Sequence, residues 1–95
     1  MNNWSIKHQD GSKEGSFYVE DDDVTLAELT YVKKDNHIVI NHTSVDTSLQ
    51  GKGLGKELVL KAVEYSKREG FKILPVCSYA QTVLERMPEV KDLLI

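Results

Sequence analysis

Two side chains, His42 and Cys77, are of types that do chemistry at neutral pH, and a run with three closely spaced glycines lies between them. An imidazole, with a pKa near ~6.5, can accept a proton from an amine. The plainer role for His42 is a structural bond to a neighbouring strand. Cys77 is the only cysteine. At a helix N-terminus beside a histidine, a thiol is acidified and becomes a nucleophile. In an interior it is a small hydrophobe. A single cysteine excludes an internal disulfide and a cysteine-based zinc site.

The glycines stand in the run Gln50-Gly51-Lys52-Gly53-Leu54-Gly55-Lys56. Glycine lets the backbone approach a ligand and take positive φ. The run leads straight into a helical pattern, so its amides meet a helix N-terminus. There, up to four N–H groups lack partners and the dipole favours an anion such as phosphate or pyrophosphate. Neither common nucleotide loop fits. The pattern G-x-x-x-x-G-K-[ST] has Gln50 at its first glycine and Glu57 at its hydroxyl position, and G-x-G-x-x-G lacks its third glycine in either register. A glycine turn without a ligand is the bland alternative. Lys52 and Lys56 flank the loop, equally suited to supporting a phosphate charge or to a solvated helix start.

The elements that must position these residues follow from the pattern. Trp4, Ile6 and His8 alternate with polar neighbours as a weak strand, and residues 11–15 read as a turn. Phe17, Tyr18 and Val19 form a β-rich run, followed by an acidic turn at 20–23. Val24–Lys33 and His37–Val45 read as strands separated at Asp35-Asn36. His8 and His37 are expected at the surface. From 53 to 70 the period is helical. Leu54, Leu58, Ala62 and Tyr65 lie on one stripe, with Val59 and Val63 beside it. Residues 71–77 read as a short strand that Pro75 interrupts. Ser78 and Gln81 match a capping box that opens a second helix to about Arg86. Pro88 ends it, and 90–95 reads as one further helical turn.

Residues 37–77 therefore form a β–α–β unit with parallel strands and a right-handed crossover. That topology brings His42 to Val45, the loop Leu49 to Gly55, and Cys77-Ser78-Tyr79 to one sheet edge, where open α/β sheets bind ligands. On an unbroken strand, His42 shares a face with Ile38 and Ile40. Thr43 suits either a strand or a ligand contact.

What remains of the loop is Q-x-x-G-x-G, met by Gln50, Gly53 and Gly55. It resembles the pyrophosphate-binding motif Q/R-x-x-G-x-G/A of the GNAT superfamily of N-acetyltransferases. With His42-Thr43-x-Val45 and Cys77-Ser78-Tyr79, the whole chain is similar to very small stand-alone GNAT-like domains. It departs from them at Asp46-Thr47-Ser48, where prolines are frequent, and at Gln50, where Arg is frequent. Neither change removes a backbone donor. The resemblance implies an α+β fold in truncated GNAT form: an antiparallel meander, a β–α–β unit and a C-terminal helix. It implies one domain over 1–95 and acetyl-coenzyme A as cosubstrate. The cofactor residues would be Val45, Gln50, Gly51, Lys52, Gly53, Leu54, Gly55, Lys56 and Ser78, although capping alone accounts for Ser78. Catalysis would fall to His42, to Cys77 as assistant or covalent carrier, and to Tyr79 as proton donor to the leaving thiolate. The competing role for Tyr79 is a core aromatic. The acceptor would be an amine.

Composition bounds the rest. The chain has 95 residues, 40% hydrophobic and 28% charged, an ordinary composition for one soluble domain. No apolar run approaches the ~18 residues of a membrane helix. Met1 to Trp4 shows no leader pattern, so the cytoplasm is expected. The net charge of -3 argues against a nucleic-acid partner. Strands occupy the region where longer GNAT domains carry acceptor-shaping helices. The acceptor is therefore expected to bring its own contacts, as a protein tail would, or activity to be weak. The expected state is a monomer or weak homo-oligomer. The alternative function is a coenzyme A-binding module with little catalysis; a plain structural domain leaves the loop unexplained.

Overall fold

Four successive strands open the fold; in the last three the alternation of apolar and polar residues decides which side turns inward, while the first is polar and exposed throughout. In a computed structural model that describes residues 4–95, these are β1 (Lys7–Asp10), β2 (Glu14–Asp21), β3 (Val24–Lys33) and β4 (His37–Val45). Each is antiparallel to the next. Asp22 and Asp23, between β2 and β3, have φ of 50° and 66°, as a two-residue hairpin turn with matching twist requires. Then come α1 (Leu54–Glu69), β5 (Lys72–Pro75), α2 (Ser78–Glu85) and a 3₁₀ stretch, Pro88–Leu93. β5 lies parallel to β4, and the sheet order is β1-β2-β3-β4-β5. The expected α+β arrangement of meander, β–α–β unit and C-terminal helix is the one observed. The leader reading concerns Met1 to Trp4, of which residues 1–3 lie outside the described residues.

Three boundaries differ from the sequence pattern. β1 begins only at Lys7; Trp4 and Ile6 pack against the core without joining the strand. β5 stops at Pro75, which lacks the N–H to continue the ladder. The capping box at Ser78 and Gln81 does not form. Cys77, still extended at φ -64° and ψ 127°, is the N-cap, so Ser78 is already helical. Gln81 Nε2 instead donates to the Pro75 carbonyl at 2.9 Å.

The core lies on one face of the sheet. Phe17, Val19, Ala27, Leu29, Tyr31, Ile38, Ile40 and Ile73 meet Leu54, Leu58, Val59, Ala62 and Tyr65 of α1, with Ala80 and Leu84 of α2 beside them. Each fully buried Leu or Ile there contributes about 1.5–3 kcal/mol. The opposite face, with Ser16, Tyr18, Glu28, Thr30 and Val39, belongs to no such cluster.

One irregularity reorganises the end of β4. Tyr31 pairs with Ile40 but Thr30 pairs with His42, leaving Asn41 as an extra, bulged residue. Beyond it the inward positions are Thr43 and Val45, opposite Leu29 and Ala27. His42 and Ser44 turn to the other face, opposite Thr30 and Glu28. The expectation that His42 shares the face of Ile40 is therefore corrected by the bulge. Thr30 Oγ1 donates to Asn41 Oδ1 at 2.5 Å. At the same level β4 and β5 part: their pairing ends at Ile40 opposite Pro75. The Ile40 carbonyl accepts from the amides of both Val76 and Cys77, each at 3.0 Å.

Candidate functional site

Past the parting, the chain from β4 to α1 is tied back to the sheet. The Asp46 amide donates to the Leu26 carbonyl at 2.7 Å. Its carboxylate accepts from the Ser48 amide at 3.0 Å and from the Ser48 hydroxyl, and these bonds hold its pKa below the ordinary carboxylate value. Asp46 thus caps a 3₁₀ turn over Thr47–Leu49. Gln50 Nε2 donates to the Val45 carbonyl at 3.3 Å, bracing the loop from inside.

Gly51 and Gly53 follow with φ of 82° and 79°. Nothing lies within 4 Å of where a Cβ would stand on either. The space beside the backbone is open to a ligand at two positions that L side chains disfavour. Gly53 caps α1, and Glu57 is the first amide to reach an intrahelical acceptor, the Gly53 carbonyl at 3.1 Å. The preceding amides of the first turn are available to an anion.

A groove of about 500 Å³ opens in front of this turn. Thr43 and Val45 of β4 form one wall. Leu49, Gln50, Gly51, Gly53, Leu54 and Gly55 form another, and Tyr79 closes the side. Gly55 is there for packing: a Cβ on it would stand 2.7 Å from the Tyr79 hydroxyl. Seven of the residues expected from the sequence line the groove: Val45, Gln50, Gly51, Gly53, Leu54, Gly55 and Tyr79. Lys52 and Lys56 are exposed beside it. Ser78 is exposed on α2 and does not line it. Leu49, which opens the loop expected at this edge but is not among the expected cofactor residues, lines the groove as well.

Cys77 is half-buried where β5 turns into α2, and its Sγ donates to Thr43 Oγ1 at 3.5 Å. Burial pushes the thiol pKa up. The backbone N–H groups of Ala80 and Tyr79 and the Thr43 hydroxyl outweigh it and bring the thiol below its ordinary value. The thiol bonds to Thr43 and not to His42, which the bulge has turned to the other face.

A second polar cluster stands at the other end of the sheet. One carboxylate oxygen of Asp10 accepts from the Tyr31 hydroxyl at 2.8 Å and the Tyr65 hydroxyl at 3.1 Å, and Lys33 Nζ lies 2.8 Å from it. His8 Nε2 and the Tyr31 hydroxyl are 2.7 Å apart. Burial raises the Asp10 pKa, but the bonds from Lys33, Tyr31 and Tyr65 outweigh it and hold the carboxyl below its ordinary range. Burial lowers the His8 pKa, against the opposing charge of Asp10. His8 is exposed as expected, yet its ring stacks on Phe17 with centroids 4.1 Å apart. His37 is half-buried, with Nδ1 2.9 Å from Asn36 Oδ1. Among the described residues no helix is long and apolar enough to cross a membrane.

The family model of the GCN5-related N-acetyltransferases matches residues 16–93. Among curated proteins no sequence matches. A GCN5-like protein from Staphylococcus aureus, solved by NMR, is 37% identical over 100% of this chain and 91% of its own, with a TM-score of 0.74. The ribosomal-protein-S18-alanine N-acetyltransferase from Escherichia coli is 15% identical over 83% of this chain and 54% of its own, TM-score 0.68. AAC(6')-Iy, in complex with the bisubstrate analogue CoA-S-monomethyl-acetylneamine, is 13% identical over 83% of this chain and 60% of its own, TM-score 0.58. These last two are alike in fold, and the chain spans little more than half of their length.

Proposed function

The chain belongs to the GCN5-related N-acetyltransferase family, and from that premise we propose that it binds acetyl-coenzyme A in the groove before α1 and passes the acetyl group to an amine. The observation that carries this reading is the first turn of α1: amides without intrahelical acceptors, behind two glycines with open space, facing a groove beside parted parallel strands. The turn suits the pyrophosphate. Thr43 and Val45 line the path toward Cys77. Lys52 and Lys56 add positive charge at the rim.

In this reading Cys77 is the nucleophile, since its thiolate is favoured by the amides of α2 and by Thr43. Its sulphur bonds to the acetyl carbon as the bond to the coenzyme sulphur breaks, and the departing thiolate takes a proton from the Tyr79 hydroxyl. The amine then attacks the acetyl-Cys77 thioester, the C–S bond breaks, and Cys77 is regenerated. His42 serves as the base from the other face of the sheet, taking the proton the amine loses. The cytoplasm is the inferred location, and the chain acts as a monomer or weak homo-oligomer.

Thermal unfolding with and without acetyl-coenzyme A tests binding. At about 100 times its dissociation constant the ligand adds ~2.7 kcal/mol of stability; no shift at millimolar concentration would overturn the reading. Intact mass and peptide mapping test the route, with an acetyl group expected on Cys77. Cys77→Ala is expected to keep coenzyme A binding and lose most transfer. Undiminished turnover in that variant would remove the covalent step.

A further inference from the structure

Pro75 ends β5 because it has no N–H for the ladder, and the chain passes through Val76 and Cys77 into α2. On one side this turn is held by the sheet: the amides of Val76 and Cys77 share the Ile40 carbonyl, each at 3.0 Å. On the other side it is held by Gln81. The Gln81 amide donates to the Cys77 carbonyl at 3.0 Å, as helix geometry requires. Its side chain reaches back past Cys77 to the Pro75 carbonyl at 2.9 Å. A carbonyl only accepts, so Nε2 is the atom that faces it. In a capping box the same side chain would accept from the N-cap amide. Here that amide, of Cys77, is already taken by Ile40, and the side chain donates instead.

What lies inside this grip is the thiol. Cys77 is the N-cap of α2, yet no capping bond closes on its sulphur. The groups that act most on the thiol are neutral dipoles: the amides of Ala80 and Tyr79 on α2, and the hydroxyl and backbone of Thr43 on β4. His42, the titratable neighbour of Thr43, faces away. Attraction between a charge and a dipole falls steeply with distance. What the α2 amides do for a thiolate therefore depends on how the helix is set against Cys77.

We propose that Gln81 is a positioning residue for acetyl transfer: by bonding the end of β5 from α2, it sets the Cys77 sulphur beneath the first amides of that helix. The thiolate then meets dipoles already in place, with no reorganisation at the moment of attack. Gln81 does not line the groove before α1, so it acts through Cys77 and not on the cofactor. This deepens the reading of the preceding subsection and rests on it for the transfer step.

Alkylation of Cys77 by iodoacetamide, followed against pH without any cofactor, reads the placement directly. Gln81→Met keeps the length and helix propensity of the side chain and loses the donor. Its profile should inflect about one pH unit higher, about a tenfold loss of thiolate at a fixed pH below the inflection. Gln81 is exposed, and the urea midpoint should hardly move. Gln81→Ala carries the same comparison if Gln81→Met folds poorly. Thr82→Val is the control. The Thr82 hydroxyl donates to the Ser78 carbonyl at 3.1 Å within the same helix, and its loss should leave the profile in place. An unmoved profile in Gln81→Met would overturn the proposal. So would an equal shift in Thr82→Val, since any loosening of α2 would then suffice. In turnover, Gln81→Met should lower kcat and leave the coenzyme A dissociation constant unchanged. A raised inflection in a protein that never acetylates Cys77 removes only the transferase reading; acetyl-Cys77 in the unaltered protein with an unmoved profile in Gln81→Met removes only the positioning role.

Discussion

Where β3 finishes and β4 begins, side chains bond side chains: Tyr31, Tyr65 and Lys33 converge on one oxygen of Asp10, and His8 closes on Tyr31. Where β4 runs past β5, side chains mostly bond backbone. Gln50 braces Val45, Gln81 braces Pro75, and the first amides of α1 face open space. The first end ties its polar side chains to one another, whereas the second leaves the first amides of α1 facing a groove of about 500 Å³. The lesson is that two glycines can make room for a tyrosine in different settings, one buried and one at a rim. Gly15 makes room for a permanent neighbour, the Tyr31 hydroxyl and ring; Gly55 makes room for Tyr79, 42% exposed at the rim of the groove.

The strongest way to break this contrast is to fill both places. Gly15→Ala drives a Cβ into the Tyr31 side chain and to 2.6 Å from the Gln9 carbonyl. Overpacking of that kind costs about 1–3 kcal/mol, read by urea unfolding, with cofactor affinity of the folded protein unchanged. Gly55→Ala meets only a side chain that can swing outward. Its stability should stay within about 1 kcal/mol, since alanine also favours a helix, while acetyl-coenzyme A binding by calorimetry weakens. Equal losses of stability in the two variants would dissolve the distinction.

Acid sharpens the comparison next. The folded protein holds the His8 pKa below its ordinary value and does the same for Asp10. In each window, between the lowered folded value and the unfolded one, the unfolded state binds more protons, so stability falls as pH falls. Urea midpoints should therefore drop first as pH passes below about 6.5, and again below the ordinary carboxylate value. His8→Gln should remove the first decline and leave the second. A first decline that persists in that variant would place the titrating group elsewhere.

The smallest effect belongs to the open end. Thr43→Val removes one of the groups that lower the Cys77 pKa. The pH profile of iodoacetamide alkylation should inflect at a higher pH in the variant, with unfolding almost unchanged. An identical profile would assign the acidification to the α2 amides alone.

The sequence pattern carried the strands β3 and β4, both ends of α1 and the parallel return of β5, because apolar period and glycine stops are local signals. The position of His42 was not legible. One inserted residue, Asn41, reverses every side chain after it, and a bulge is decided by pairing with β3 and not by the residues of β4 alone. The capping residue of α2 was misplaced by one position for a similar reason: the fork at Ile40 fixes where the chain turns, and a serine that could cap arrives too late. The Asp10 cluster was equally hidden, since its members are 55 residues apart from Asp10 to Tyr65.

The doubly used carbonyl of Ile40 has a consequence in time as well as in shape. It works like the stop of a zip fastener: two amides close on one oxygen, so the separation of β4 from β5 cannot run back into the buried ladder of Ile38 and Ile73. Breathing at the mouth of the groove is thereby uncoupled from global opening. In hydrogen exchange, the amides of Val76 and Cys77 should mark the border between residues that exchange only when the whole protein unfolds and residues that exchange freely in the native state.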